Sequence, residues 1–327
     1  MIKKEIKTIA MLTSGGDSPG MNCVIRSIVR TAVGHGIKVY GIHRGFTGLL
    51  NNNFIEMNAS SVGNIIQRGG TILNSSRCPE FREKENREKA AQILEDRGVD
   101  ALIVIGGDGS FKGAIALNEE FKVPVIGIPG TIDNDISGSD YTIGFDTAVQ
   151  TAIEAVDKIR DTAASNERTF LIEVMGAESS SIAVKVAICT GAENVLLANQ
   201  EIDYKGISKT IRKGMRRGKN SSIIIVAEGQ KPGRSYDIAK ILQSDHEISC
   251  KVCVLGHVQR GGSPSANDRF YGSTMGKLAV DSLKAGKKQH AVVVQQSEVK
   301  LVPLSECAHK SDHAMKDFKG IAEALSI

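Results

Sequence analysis

Five glycine-rich turns in the sequence each combine glycine with acidic, basic or hydroxyl side chains. They occupy residues 13–20, 106–110, 129–135, 175–178 and 256–262. Glycine lets the backbone approach a phosphate group closely, and the polar side chains beside it could hold a metal ion or accept a proton. Because each turn directly follows a short apolar run, we expect all five to meet at strand ends and form one active site.

The turn GGDGS at 106–110 has the composition of a site for phosphate and magnesium. Its Asp108 could hold Mg²⁺, which usually takes one or two carboxylates together with phosphate oxygens. A tight strand–helix turn with an Asp or Ser N-cap would have the same composition. Neither this turn nor Gly15-Gly16-Asp17 matches the P-loop or the dinucleotide-binding pattern, so those classes of protein are disfavoured.

The turn TIDND at 131–135 places two carboxylates, Asp133 and Asp135, in one short loop. A kinase needs a base that accepts the proton of the substrate hydroxyl, and aspartate does this in other kinases. An Asx-rich turn without catalytic function is the alternative. The preceding Pro-Gly and the buried run before it favour a catalytic loop.

Cationic side chains follow other strand candidates. Arg260, beside Gly261-Gly262, is suited to bidentate binding of a phosphate, and His257 precedes it. Arg77 lies in a loop of small residues, where it could equally be an ordinary surface arginine. The basic stretch at 212–219 is expected to be a solvated helix face, although a second anion site is an alternative.

The strands and helices that must position these turns alternate along the chain. Continuous apolar runs are typical of parallel strands covered on both faces. We predict strands at 9–12, 39–42, 101–105, 125–128, 169–174, 195–197, 222–227, 252–255 and 291–294. Helices are predicted between them, for example at 21–33, 83–97, 147–161, 208–217, 238–244 and 273–284. The alternation indicates an α/β protein with doubly wound, mainly parallel sheets.

The composition of the 327-residue chain is that of a soluble globular protein, with 41% hydrophobic and 24% charged residues. A net charge of +4 demands no polyanionic partner, and the lack of tryptophan argues against a stacking surface for single-stranded nucleic acid. No apolar run could span a membrane, no signal-peptide core begins the chain, and the six cysteines fit free thiols in a reducing compartment. We therefore expect a cytoplasmic protein without nucleic-acid or membrane partners.

Seven motifs resemble those of the bacterial ATP-dependent 6-phosphofructokinases, in the family's order and over nearly the whole chain. They are TSGGDSPGMN at 13–22, RGGT at 68–71, GGDGS at 106–110, PGTIDND at 129–135, YTIGF at 141–145, EVMG at 173–176 and LGHVQRGGSP at 255–264. The resemblance implies a glycolytic homotetramer that uses Mg²⁺ and ATP to phosphorylate the 1-hydroxyl of fructose 6-phosphate. It also implies the phosphofructokinase fold, with two interleaved, Rossmann-like αβα domains.

The same resemblance implies how the chain divides. Residues 1–143 and about 258–305 would form a larger ATP-binding domain. Residues about 144–257 and 306–327 would form a smaller domain that binds the sugar phosphate.

Individual site residues follow from the resemblance as well. Asp133 matches the catalytic base, in a loop with Thr131, Ile132 and Asp135. The ATP site is matched by Gly16, Arg77, Cys78, Gly107, Asp108, Gly109 and Ser110, with Asp108 at the magnesium position. Sugar-phosphate contacts are matched by Thr131, Asp133, Met175, Gly176, Glu228, His257 and Arg260, and by Arg168 from a neighbouring subunit. Gly109 and Gly130 match the ATP users, since pyrophosphate-dependent relatives place Asp and Lys there.

Two sugar-site positions depart from the family. Ala177 stands where the family has an arginine near the transferring phosphate, and Lys251 replaces a second arginine supplied by the neighbouring subunit. The loss of a cation from a phosphoryl-transfer site removes transition-state stabilisation. A paralogue acting on another sugar phosphate, and a weakly active regulatory subunit, are therefore the alternatives to a standard enzyme.

An allosteric effector site is partly retained. The matching residues are Arg26, Arg30, Arg160, Glu193, Arg217 and Lys219. Ala59 replaces an arginine of that site, and Asn220 and Ser221 replace a basic pair. We therefore expect an altered response to ADP or phosphoenolpyruvate.

Overall fold

A computed structural model describes residues 5–166 and 168–311, together with 320, 321 and 324. Most of the C-terminal segment 312–327, which the sequence assigns to the smaller domain, lies outside the described residues. In chain order the strands are β1 (Thr8–Thr13), β2 (Lys38–Ile42), β3 (Phe54–Met57), β4 (Ala101–Gly106), β5 (Val125–Pro129), β6 (Thr169–Val174), β7 (Asn194–Leu196), β8 (Ser222–Ala227), β9 (Cys250–Val254), β10 (His290–Gln295) and β11 (Glu298–Pro303). The helices are α1 (Met21–Gly34), α2 (Gly45–Leu50), α3 (Lys84–Asp96), α4 (Asp108–Phe121), α5 (Phe145–Ser165), α6 (Ser181–Thr190), α7 (Tyr204–Arg216), α8 (Arg234–His246) and α9 (Ala266–Lys284).

The chain divides into two compact units, and it crosses between them more than once. Of the described residues, unit 1 holds those up to Ile132, together with Ile136–Thr147 and Arg260–Ser311. Unit 2 holds Asp133–Asp135 and Ala148–Gln259. Which unit binds ATP and which binds the sugar phosphate stays a prediction.

Unit 1 is built on a seven-stranded sheet in the order β11-β10-β5-β4-β1-β2-β3. Its central strands β1, β4 and β5 pair in parallel, and β4 and β5 are completely buried. On one face, α1 packs closely against α9 because two glycines of α9 leave room for it. A Cβ on Gly276 would lie 2.8 Å from the Cβ of Ser27, and one on Gly272 would lie 3.0 Å from the Cβ of Cys23.

Unit 2 has a four-stranded, entirely parallel sheet in the order β7-β8-β6-β9. Strand β8 is fully buried, and Ile207 and Ile211 of α7 pack with Ile238 and Leu242 of α8 in the core beside it. Strand β9 lies at the edge and stays half exposed. The predicted doubly wound, mainly parallel sheets are therefore confirmed in both units.

The sequence analysis missed the two antiparallel strands at the edges of the unit 1 sheet, β3 and β11. Both are half exposed and carry charges that pair locally, such as Glu56 with Lys38 and Glu298 with Lys300. Charged edge strands lack the continuous apolar run by which the buried strands were recognised. These two strands could not be predicted because their apolar pattern is too weak, and the predicted fold class is unaffected.

A buried carboxylate joins the start of α9 to the segment that leads into α5. Asp268 is completely buried. Its Oδ1 accepts hydrogen bonds from the Tyr141 hydroxyl at 2.7 Å and the Gly144 N–H at 2.6 Å. Its Oδ2 accepts from the N–H of Thr147 at 2.9 Å and from the Thr147 hydroxyl. Burial raises the pKa of this carboxyl, and the donated hydrogen bonds act in the opposite direction.

We predict that Asp268→Asn destabilises unit 1. Either orientation of the amide points its NH₂ group at a buried N–H, that of Gly144 or of Thr147, so this N–H loses its acceptor and the neighbouring hydroxyl must turn; each unsatisfied donor costs about 1–3 kcal/mol. The free energy of unfolding should fall by about 2–4 kcal/mol, measured by urea denaturation. Asp281→Asn, on the exposed face of the same helix, is the matched control and should change it by less than about 1 kcal/mol. Equal effects of the two substitutions would contradict this role of Asp268.

Candidate active site

The turn between β4 and α4 presents an unobstructed helix N-terminus. Gly107 occupies the N-cap position, and no side chain caps the helix. A Cβ added at Gly107 or Gly109 would meet nothing within 4 Å, and neither residue has a positive φ. Glycine weakens a helix by about 0.5–1 kcal/mol relative to alanine, so the fold alone does not explain Gly109. The space and the free N–H groups suit an anionic ligand.

Two neighbouring glycines are explained by packing instead. A Cβ at Gly106 would lie 2.6 Å from the Ser110 hydroxyl and 2.7 Å from the Ser14 carbonyl oxygen. A Cβ at Gly130 would lie 3.0 Å from Ile105 and 3.1 Å from Met21. Glycine at 130 is therefore compatible with packing alone and is weaker support for the phosphate donor than Gly109.

Asp108 carries the carboxylate of this turn. Its side chain is 23% exposed, and its Oδ2 lies 3.0 Å from the Nζ of Lys112, one helical turn further on. Within the part of the chain that the structure describes, no cluster of three His, Cys, Asp or Glu side chains could hold a metal by itself. One accessible carboxylate beside open space fits Mg²⁺ that also takes phosphate oxygens.

Two loops lie against this turn in unit 1. The N–H of Ser14 donates to Ile105 O at 2.9 Å, and the N–H of Gly15 donates to Ser76 O at 3.4 Å. Arg77 and Cys78 follow Ser76 in the chain. Arg77 is exposed, whereas Cys78 is half buried, and this burial raises the pKa of its thiol. The predicted nucleotide residues of the 13–20, 74–78 and 106–110 segments are thus brought together.

The TIDND loop follows β5 and is tied to the end of β4, because the Gly130 N–H donates to Gly106 O at 3.0 Å. Thr131 accepts a 2.6 Å hydrogen bond at its carbonyl oxygen from the Thr142 hydroxyl. Ile132 and Asp135 are buried, whereas Asp133 is partly exposed. Thr131 and Ile132 belong to unit 1, and the two carboxylates belong to unit 2. Asp133 is thus the more accessible of the two.

A second group of predicted residues meets at the carboxyl end of the unit 2 sheet. Glu228 is buried, and its Oε1 accepts from the N–H of Gly176 at 3.3 Å and from that of Ala177 at 2.9 Å. The N–H of Glu228 in turn donates to Val174 O at 3.0 Å. Glu228 therefore holds the turn at 175–177 in place with one of its oxygens.

Ala177 has a left-handed backbone with φ 49°. This conformation disfavours residues with a Cβ by roughly 1 kcal/mol relative to glycine. The turn at 175–177 thus imposes a backbone conformation that alanine does not prefer, and the Ala177 side chain, which carries no charge, remains partly exposed.

The structure does not bring Arg168 and Lys251 to this group. Arg168 precedes β6, and Lys251 pairs with Phe170 near the start of β9, so both lie at the amino end of the sheet. Six residues of strand span roughly 20 Å, which separates them from the turn after β6. Both side chains are exposed. Within one chain they cannot complete the predicted sugar-phosphate site.

His257 and Arg260 were predicted together but fall in different units. His257 is exposed in a 3-10 helix, Gly256–Arg260, whose last residue is the first of the returning unit 1 segment. The Nη1 of Arg260 donates to Asp17 O at 2.9 Å, and its guanidinium covers Gly16. In this structure Arg260 therefore contacts the loop that the sequence assigns to ATP.

Three of the predicted effector residues line a cavity of 610 Å³ in unit 2, namely Glu193, Arg217 and Lys219. Glu193 is buried and accepts from Lys219 at 3.2 Å. Arg160 donates to Thr190 O at 2.6 Å. Arg26 and Arg30 lie on α1 in unit 1, where Arg30 is exposed.

Sequence reasoning missed two supporting residues. Gln259 is completely buried, and its Oε1 accepts from the N–H of Met175 at 2.8 Å. Glu173, also buried, accepts from the N–H groups of Gly233 and Ser235 and from the Ser235 hydroxyl. Both lie inside motifs of the family, and Glu173 could have been found as the one charged residue in an otherwise apolar run, whereas Gln259 follows no such run. No helix among the described residues is long and apolar enough to cross a membrane.

Comparison with known proteins identifies the family. Residues 8–283 match the family model described as phosphofructokinase. The chain is 47% identical over 326 residues to the ATP-dependent 6-phosphofructokinase of Staphylococcus carnosus, covering 98% of this chain and all of that protein. It is 45% identical over 322 residues to ATP-dependent 6-phosphofructokinase 1 of Thermus thermophilus, again covering all of that protein.

A solved structure agrees with these sequence relatives. Phosphofructokinase from Saccharomyces cerevisiae superposes with a TM-score of 0.87 at 31% identity. The match covers 98% of this chain and 48% of the yeast chain. The two αβα units, the open helix N-terminus at Asp108 and these relatives agree: the chain belongs to the phosphofructokinase family.

Proposed function

We propose that the protein transfers the γ-phosphoryl group of Mg-ATP to the 1-hydroxyl of fructose 6-phosphate, giving fructose 1,6-bisphosphate and ADP. The observation that carries this proposal is the open space beside Asp108 at the uncapped start of α4. The fold does not require glycine at 109, so a ligand accounts for it better. The names of its relatives support ATP as the donor.

Each residue of the nucleotide half has a role in this proposal. Asp108 would hold Mg²⁺, which neutralises phosphate charge in the transition state. The N–H groups at the start of α4 would face the phosphates, and Gly16, Arg77, Cys78 and Ser110 would border the nucleotide. Asp133 would accept the proton of the sugar hydroxyl, with Thr131 and Asp135 fixing its loop.

Sugar-phosphate binding is assigned to unit 2. Met175 and Gly176 lie in the turn that would face the sugar, Glu228 holds that turn, and His257 would contact the phosphate. A sugar-phosphate contact of Arg260 stays a prediction, because this residue belongs to unit 1 and contacts Asp17. Arg168 and Lys251 lie at the amino end of the same sheet, opposite the turn at 175–177, so they would serve the site of a neighbouring subunit. This geometry supports association with a neighbouring subunit, and the homotetramer is the assembly that the family resemblance implies.

Regulation and location complete the proposal. The cavity beside Glu193, Arg217 and Lys219 would receive ADP or phosphoenolpyruvate, with an altered response because Ala59, Asn220 and Ser221 lack the expected basic groups. We place the enzyme in the cytoplasm, where fructose 6-phosphate and ATP are present. A paralogue with another sugar specificity, or a regulatory subunit, is not favoured by the relatives.

The deciding experiment is an assay of the purified protein with Mg-ATP or pyrophosphate against a panel of sugar phosphates. ATP-dependent turnover of fructose 6-phosphate is expected. Turnover of another sugar phosphate in its place would sink the proposal, and turnover with pyrophosphate alone would reject the assignment of the donor.

We predict that Asp133→Ser removes the catalytic base and lowers kcat by about 10³–10⁴. Binding of Mg-ATP should persist, because the nucleotide contacts lie elsewhere. Steady-state kinetics and a calorimetric titration with Mg-ADP test both statements. A kcat within tenfold of wild type would remove Asp133 from its role.

Gly109→Ala is predicted to strengthen the helix while weakening ATP binding. The methyl group fits the fold and should raise the free energy of unfolding by about 0.5–1 kcal/mol. The same methyl group enters the proposed phosphate space, and we expect the KM for ATP to rise about tenfold. Gly34→Ala at the exposed end of α1 is the matched control, because a Cβ there also meets nothing. An unchanged KM for ATP in Gly109→Ala would contradict the proposed location of the phosphates.

Ala177→Arg should restore a cation beside the transferred phosphoryl group. We expect kcat/KM for fructose 6-phosphate to rise roughly ten- to a hundredfold, since a charge-assisted contact contributes about 1.5–3 kcal/mol. Ala177→Gly is the control, because it relieves the left-handed backbone without adding charge and should raise stability alone. Equal activation by both substitutions would assign the effect to the backbone instead of the charge.

A further inference from the structure

Lys112 is a cation at a position where the helix itself disfavours one. It lies in the second turn of α4, and helical side chains lean toward the N-terminus of their helix. Its ammonium therefore approaches the positive end of the helix dipole, where anions are favoured and cations are not. The 3.0 Å contact with Asp108 Oδ2 shows that the side chain does turn this way.

The ion pair with Asp108 gives little reason for the lysine from stability alone. The side chain of Lys112 is 58% exposed, and exposed pairs one helical turn apart contribute only a few tenths of a kcal/mol. Solvent and salt screen such a pair further. A role toward a ligand explains the lysine better than a role in holding α4 together.

The space around this ion pair is where the nucleotide is proposed to bind. Gly107 and Gly109 flank Asp108, and a Cβ added at either glycine would have no other atom within 4 Å. Asp108 holds Lys112 less strongly when it faces a divalent metal ion, because the two cations repel each other. The four-carbon stem of lysine lets the ammonium move by several ångströms without any change in the helix.

We propose that Lys112 is a nucleotide-binding residue that exchanges partners. It holds the Asp108 carboxylate when no nucleotide is bound and donates to phosphate oxygens of the bound nucleotide once Asp108 faces the metal. The inference rests on the proposed use of Mg-ATP, and it adds a phosphate contact that none of the five glycine-rich turns supplies. The exchange keeps a negative partner beside the Lys112 ammonium both with and without nucleotide.

The test compares Lys112→Met with Lys112→Arg and with the control Lys89→Met, which removes the same charge from the exposed face of α3. Calorimetric titration with the Mg²⁺ complex of a non-hydrolysable ATP analogue reports binding without turnover. Lys112→Met should raise Kd roughly five- to tenfold, as expected for one lost charge-assisted contact. Lys112→Arg and Lys89→Met should stay within about twofold of wild type.

Salt and kinetics separate the contact from a structural effect. The Kd of Lys112→Met should depend less steeply on salt concentration than that of the wild type, since one screened contact is gone. In the active enzyme its KM for ATP should rise, while kcat and the KM for fructose 6-phosphate stay within about twofold.

Three results would overturn the inference. An unchanged Kd would reduce Lys112 to a helix-stabilising residue, and a lower Kd would make it solely a competitor for Asp108. If the wild type binds the nucleotide analogue but does not phosphorylate fructose 6-phosphate, the proposed function fails while the titration still decides the role of Lys112. If the wild type does not bind the analogue, the inference falls as well.

Discussion

The alignment of three strand ends in unit 1 is the constraint on which the proposed nucleotide site depends. Backbone hydrogen bonds from Ser14 to Ile105 and from Gly130 to Gly106 fix the ends of β1, β4 and β5 at one level. Glycine at 106 allows this approach, because a Cβ there would lie 2.7 Å from the Ser14 carbonyl oxygen. Every chemically useful group that follows these strands, Asp108 included, inherits its position from that packing.

Glycine consequently serves two different purposes within a few residues. At 106 the added Cβ would collide with Ser110 and with the backbone of Ser14, so the fold requires glycine whatever the ligand is; at 130 it would only crowd the side chains of Ile105 and Met21. At 107 and 109 it would meet empty space, so a ligand accounts for glycine better. A sequence shows the same letter in all four places, and only the surroundings distinguish them. Among these four glycines, Gly109 therefore favours ATP over pyrophosphate most directly.

Much of the fold could be predicted because buried parallel strands are continuous apolar runs, as in β8, and because glycine-rich turns mark their ends. The edge strands β3 and β11 could not, since charged half-exposed segments carry no such signal. Contacts with backbone groups could not be predicted either. The sequence does not show that a carboxylate oxygen of Glu228 accepts hydrogen bonds from the N–H groups of Gly176 and Ala177. The separation of His257 from Arg260 depends on where the chain crosses between units, and three residues of sequence do not reveal it.

The residues proposed to bind the sugar phosphate also bear on assembly. Glu228 and the turn at 175–177 lie at the carboxyl end of the unit 2 sheet, whereas Arg168 and Lys251 lie at the amino end. The two ends of a strand lie apart, so under the proposed function one chain would present the acidic part of its own site at one end of the sheet and cations for a different site at the other. If the sugar phosphate needs both, catalysis requires association. A change such as Lys251 for arginine would then alter the site of the neighbour, while Ala177 alters the chain's own, and the two departures act together only in the assembled protein.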